Sequence, residues 1–152
     1  VLAALGPRML ELSRDMTEGS LPYCVTPEHT AMAKEIMGPD KWLCVEQKIV
    51  FTEDESVARG VAAKNMARYL AMPNYVDNWL RIGFSERELE GGGNERFLDA
   101  MVLWGSEDTI RWGLQAHIDA GATQLVIQPL DPHGKPTPDW NALKSFRPET
   151  WG

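Results

Sequence analysis

The chain has 152 residues, 43% of them hydrophobic and 24% charged, and a formal charge of −7 from 22 Asp and Glu against 15 Lys and Arg. Such a chain suits one globular domain that buries roughly 70% of the surface its unfolded form exposes, and its negative field argues against nucleic acid and anionic membrane surfaces as partners. No apolar stretch approaches the roughly 20 residues that span a bilayer, and no basic segment followed by an apolar one opens the chain, so a cytoplasmic location is expected.

The first apolar run, residues 1–5, reads as a strand that enters a helix through Gly6-Pro7, with Met9, Leu12 and Met16 on one stripe. Residues 20–25 form the next strand candidate, followed by Thr26 as N-cap and Pro27 in the first turn of a second helix, with Met32 and Ile36 inward. In 42–52 the alternation places Leu43, Val45, Ile49 and Phe51 on one face and Trp42, Cys44, Glu46, Lys48 and Val50 on the other. Helical patterns follow at 55–72 and 74–82. A capping-box phrase at Ser85–Glu88 and the glycines 91–93 mark a surface insertion, before helices at 95–104 and 107–120, the latter between Ser106 and Gly121. The run 124–130, "QLVIQPL", is the last strand, and the proline-rich tail holds one short helix at 139–146. A strand-helix alternation of this kind specifies a parallel sheet with right-handed crossovers, an α/β fold.

In parallel βα structures ligands gather where strands end and helices begin. Ala3, Ala4, Leu5 and Gly6 form one such junction, whose small side chains let a flat cofactor or a phosphate approach the backbone. An ordinary helix start explains the same residues, and Arg8 suits either a phosphate or solvent. Tyr23 and Thr26 flank the second junction, where Thr26 also reads as a plain N-cap. The shared grammar places Gly6 and Thr26 at one pocket. Glu46 and Lys48, two apart on a strand, point the same way and read as a structural ion pair on the concave, helix-free side of the sheet, with Val45, Ile49 and Phe51 under helices. Gln128 suits a ligand contact or backbone satisfaction. His29, His117 and His133 lack metal-ligand spacing and read as surface or capping residues. Cys24 and Cys44 sit in apolar runs as buried thiols. No nucleophile elbow, P-loop or dinucleotide-binding glycine pattern occurs, and no metal site is expected.

The phrases "LAALGPRMLEL", "EGSLPYCVTPEHT", "EQKIVF" and "GATQLVIQPL", in this order and spacing, resemble the luciferase-like oxidoreductase superfamily, most closely its branch that uses the deazaflavin coenzyme F420. The resemblance implies the C-terminal half of a (β/α)8 TIM barrel, strands five to eight over residues 1–130; the proline-rich residues 131–152 read, by composition, as a tail packed on the outside. It implies that Ala3, Ala4, Leu5 and Gly6 line the deazaflavin and its phosphate-bearing tail, and that Tyr23 and Thr26 touch the phosphate region, although Thr26 stands where some relatives place a lysine. The implied activity is hydride transfer to or from a small-molecule substrate with F420, or FMN as the alternative cofactor. General acid and base groups are expected on the earlier strands, so no catalytic residue is assigned in this chain. A full barrel needs about 250 residues, so a second copy of the chain or a separate N-terminal half-barrel is expected as partner. The alternative is a non-catalytic half-barrel that self-associates and binds an anion or no ligand.

Overall fold

A strand buried on both faces sits at the centre of a parallel sheet, and residues 43–50, LCVEQKIV, are buried on both faces even at Glu46, Gln47 and Lys48. The computed structural model describes residues 1–148. Its elements are α1 (Pro7–Met16), β1 (Gly19–Ser20), α2 (Pro27–Met37), β2 (Trp42–Val50), α3 (Glu55–Leu70), α4 (Pro73–Arg81), α5 (Glu86–Leu89), a 3-10 turn at Glu90–Gly92, α6 (Glu95–Met101), β3 (Val102–Trp104), α7 (Glu107–Asp119), β4 (Gln124–Leu130) and α8 (Trp140–Ser145). Strand β2 is the hub, buried at every position after Trp42. It pairs in parallel with β1 at Trp42 and Leu43, with β3 from Lys48 to Val50, and with β4 from Cys44 to Val50. Leu2 adds a single parallel bridge to Ser20. Leu2, β1, β2 and β4 thus neighbour one another in chain order, the winding of a half-barrel.

Local chemistry sets the helix starts. Pro7 and Pro27 open α1 and α2, where a missing N–H costs nothing. Asp54, Asn94 and Ser106 accept from the backbone N–H three residues on, capping α3, α6 and α7. On one face of the sheet, Leu43 and Val45 pack with Leu10, Ala33 and Met37 of α1 and α2, and Ile49 packs with Ile110 and Leu114 of α7 and Ala142 of α8. Phe51 meets Phe146 edge to face on that side. On the other face Val50 joins Ala58, Ala62 and Met66 of α3, Trp79 of α4 and Phe97 of α6.

Four local expectations change. Residues 1–5 form one bridge rather than a strand. The strand at 20–25 shortens to Gly19–Ser20, because Pro22 has no N–H to donate and Cys24 takes a left-handed turn at φ 55°. The helix at 95–104 stops at Met101, whose carbonyl accepts from Gln47 Nε2, and Val102–Trp104 becomes β3 beside β2. The stripe Met9, Leu12 and Met16 points outward, 44%, 47% and 73% exposed. Ser13 instead turns inward to donate to the Gly19 carbonyl at 2.6 Å.

The concave side is not free of helices. Its residues Glu46 and Lys48 face that side but lie buried beneath α3, whose Tyr69 ring covers the Lys48 ammonium. Trp42 and Val126, toward the start of the strands, stay exposed at 61% and 40%. In the tail, Ala142 and Phe146 dock against Ile49, Ile110 and Leu114, while the last four residues of 131–152 lie outside the described residues. Among the described residues no helix is long and apolar enough to cross a membrane.

Candidate functional site

The junction between residues 3–6 and α1 opens into a cavity of about 350 Å3. Ala3, Ala4, Leu5, Gly6 and Tyr23 line it, together with Met9, Leu21 and four residues of α4: Asn74, Tyr75, Asp77 and Arg81. Five of the six residues singled out in the sequence therefore meet in one place. Thr26 does not reach it. It is buried at the N-cap of α2, and its hydroxyl holds the Glu28 carboxyl below the usual range. Arg8 is exposed and outside the lining.

Arg81 supplies the cation that the sequence reading missed. Its guanidinium lies 3.7 Å from the point where a side chain on Gly6 would begin, so Gly6 keeps the gap between Arg81 and the first turn of α1 open. That first turn carries no acidic residue of its own to offset the positive end of the helix. Arg81 Nη1 donates to Asn78 Oδ1 at 3.2 Å, and the buried Asn78 Nδ2 has no partner among the described residues. The usable signal was Asn78 and Arg81 one turn apart on a helix whose other face is aromatic.

Tyr23 is held rigidly in the cavity wall. Its hydroxyl donates to Gln128 Oε1 and accepts from Tyr69 at 3.3 Å. Behind it, Lys48 Nζ donates to both Glu46 oxygens at 3.1 and 3.2 Å and to Cys24 Sγ at 2.9 Å, and sits 3.9 Å over the Tyr23 ring. Glu46 Oε2 accepts the Cys24 N–H and Trp79 Nε1 donates to the Cys24 carbonyl, so the left-handed residue is fixed from both sides. Burial pushes the Glu46 carboxyl up against the opposing pull of Lys48, pushes the Cys24 thiol up to about 12, and raises the Tyr23 phenol further still. These groups form a positioning cluster that aims Tyr23 into the cavity.

Two histidines expected at the surface are buried, because each satisfies polar groups between layers. His29 Nε2 donates to the Leu5 carbonyl at 2.8 Å, fixing the strand end of the cavity to α2. His117 donates from Nε2 to Gln47 Oε1 at 2.9 Å and faces the Thr30 hydroxyl through Nδ1 at 2.8 Å, joining α7, β2 and α2. Burial lowers both imidazoles, His117 to about 4 from an ordinary value of 6.5. The unfolded chain therefore binds a proton that the folded one refuses. Stability is full above about pH 6.5 and is expected to fall by about 3 kcal/mol as the pH drops to about 4, in urea unfolding at a series of pH values. Replacing His117 by Gln is expected to flatten that slope.

His133 is exposed, and among the described residues no three His, Cys, Asp or Glu side chains converge on a metal-sized site.

No family model and no curated protein matches the chain. Among solved structures it matches the coenzyme F420-dependent tetrahydromethanopterin reductase from Methanopyrus kandleri, with a TM-score of 0.57 at 17% identity, over 86% of this chain and 45% of that one. The chain shares the fold of that part of the reductase. It also matches apo-MsnO8, with a TM-score of 0.48 at 17% identity, over 83% of this chain and 43% of that one. The chain spans less than half the length of the reductase, and its four-stranded parallel sheet is that of a partial TIM barrel.

Proposed function

We propose that this chain supplies the part of a luciferase-like oxidoreductase that binds the phosphate and ring edge of its cofactor, coenzyme F420 with FMN as the alternative. The observation that carries this reading is the meeting of Arg81, the α1 N-terminus and the small residues Ala3, Ala4 and Gly6 around one cavity. The residues fit such a group: a guanidinium and helix N–H groups suit a phosphate, and Ala3, Ala4 and Gly6 leave room for a flat ring beside the backbone. At about 350 Å3 the cavity holds a phosphate-bearing portion rather than a whole cofactor, since ligand sites run from roughly 300 to 1,000 Å3. When bound, the cofactor carries hydride to or from a small-molecule substrate. Arg81 and α1 would fix its charge, and Tyr23, braced by Gln128, would wall off water. Acid and base groups would come from the rest of the barrel.

Helix α1, at the end of the sheet that Leu2 and β1 begin, leaves Leu12 and Met16 bare, and α7 and α8, which pack against β4, leave Trp112 and Trp140 bare. These are the flanks where a complete barrel continues, so the partner is a second copy or a separate N-terminal half-barrel. Cytoplasmic residence fits the two free thiols.

Calorimetric titration with F420, FMN and inorganic phosphate tests the reading. Arg81→Gln is expected to weaken cofactor binding about 10- to 100-fold, the worth of a hydrogen bond to a charged group. Gly6→Ala is expected to weaken it with little change in stability, because Gly6 at φ −83° suits any residue while its new methyl fills the gap below Arg81. Binding of phosphate but of neither coenzyme would favour a non-catalytic half-barrel. Binding of none of them by the folded chain would remove the site.

A further inference from the structure

We infer that the cleft between α3 and the end of β4 is a second ligand site, for a small organic polyanion bearing two or more carboxylate or phosphate groups. The cleft has a volume of about 760 Å3 and is walled by Lys64, Asn65 and Arg68 of α3, Gln128 of β4, and the loop carrying Asp131 and Lys135. It shares no lining residue with the cavity at Gly6, and stands without the cofactor reading.

Its basic side chains outnumber its one acid three to one, against the sign of the molecule as a whole. The chain carries −7 overall, and Arg14, Arg59, Arg96 and Arg111 each pair with a carboxylate. In the cleft, Lys64, Arg68 and Lys135 have no carboxylate partner among the described residues. The one acid of the lining, Asp131, is occupied by its own turn, where Oδ1 accepts from the His133 and Lys135 backbone N–H groups at 2.8 and 3.3 Å. Three cations set against one carboxylate repel one another, and an anion that bridges them relieves that cost.

The geometry selects more than a single ion. Lys64 and Arg68 stand one turn apart on the same face of α3, about 6 Å between their β-carbons, and Lys135 lines the same cleft from the loop. The Arg68 guanidinium donates to the Tyr69 hydroxyl and lies 4.6 Å from the centre of that ring, which fixes its plane. Pro136 and Pro138 stiffen the loop, and Pro138 is bridged back to Leu130. Gln128 gives its oxygen to Tyr23 and keeps its amide donors for the body of a ligand. The site also lies at the C-terminal end of β4, where parallel βα structures bind their ligands.

Titration calorimetry of the intact chain with tripolyphosphate and with citrate tests this. Saturable 1:1 binding of either probe is expected, weakened about tenfold in K64Q and again in K135Q. Both lysines are exposed and unpaired, so the unliganded variants are expected to melt like the parent. Arg81→Gln is expected to leave the affinity unchanged, which separates this site from the cofactor cavity. Absence of saturable binding by both probes, affinity indifferent to K64Q and K135Q, or affinity lost in Arg81→Gln would each overturn the assignment.

Discussion

Replacing Glu46 by leucine is expected to cost the folded state about 3–5 kcal/mol, because it leaves the fully buried Lys48 ammonium without a counter-charge. The remaining neighbours of Lys48 are the Cys24 sulfur and the faces of Tyr23 and Tyr69. A thiol whose pKa burial has pushed to about 12 stays neutral, and two aromatic faces replace only part of a carboxylate. The substitution also removes the acceptor of the Cys24 N–H, at a residue already held in a left-handed conformation. The double variant Glu46→Leu with Lys48→Met is expected to recover most of the loss, since apolar groups of similar volume replace a buried ion pair at little cost. Urea unfolding of the parent, both single variants and the double variant measures the coupling. A Glu46→Leu loss below about 1 kcal/mol would show that the pair is not buried as described.

Where one face of a segment is decided by local pattern, the sequence was readable. The alternation through 42–50 placed Val45 and Ile49 under helices and Glu46 with Lys48 opposite, and proline and the capping residues placed most helix starts. What local pattern could not show was which tertiary partner would come. The strand β3 exists because the exposed edge of β2 at Lys48–Val50 accepts it, and Gln47 ends the helix before it from another element. His29 and His117 are buried because Leu5, Thr30 and Gln47 lie 24, 87 and 70 positions away in the chain. Residues 3–6 and Tyr23 stood out by their place at strand-to-helix junctions and by resemblance, and they do share a cavity, but Arg81, on a helix far along the chain, gives that cavity its cation beside the acid Asp77. The stripe of α1 was legible as apolar and illegible as outward, since its periodicity does not say on which side its partner stands.

That outward stripe leads to the second large effect, association of the folded chain. The inner surface is only half covered: α3 closes over Lys48, but Trp42 and Val126 remain exposed nearer the start of the strands. Met9, Leu12 and Met16 lie bare at one flank of the sheet and Trp112, Ile118 and Trp140 at the other, and among the described residues the outer edge of β4 is met only by a bridge from Leu130 to Pro138. Covering several hundred Å2 of such surface at about 25 cal/mol per Å2 is worth on the order of 10 kcal/mol, as much as an ordinary domain's stability. An obligate interface of about 2,000 Å2 or more is expected, rich in these residues. Sedimentation equilibrium on the intact chain at micromolar concentration measures it directly. The half-barrel predicts a species of twice 17.0 kDa, shifted toward monomer by charge placed on the α1 stripe, as in Leu12→Glu. A single 17.0 kDa species that unfolds cooperatively would contradict it, and would mean that α3 and the helices after it complete the fold alone.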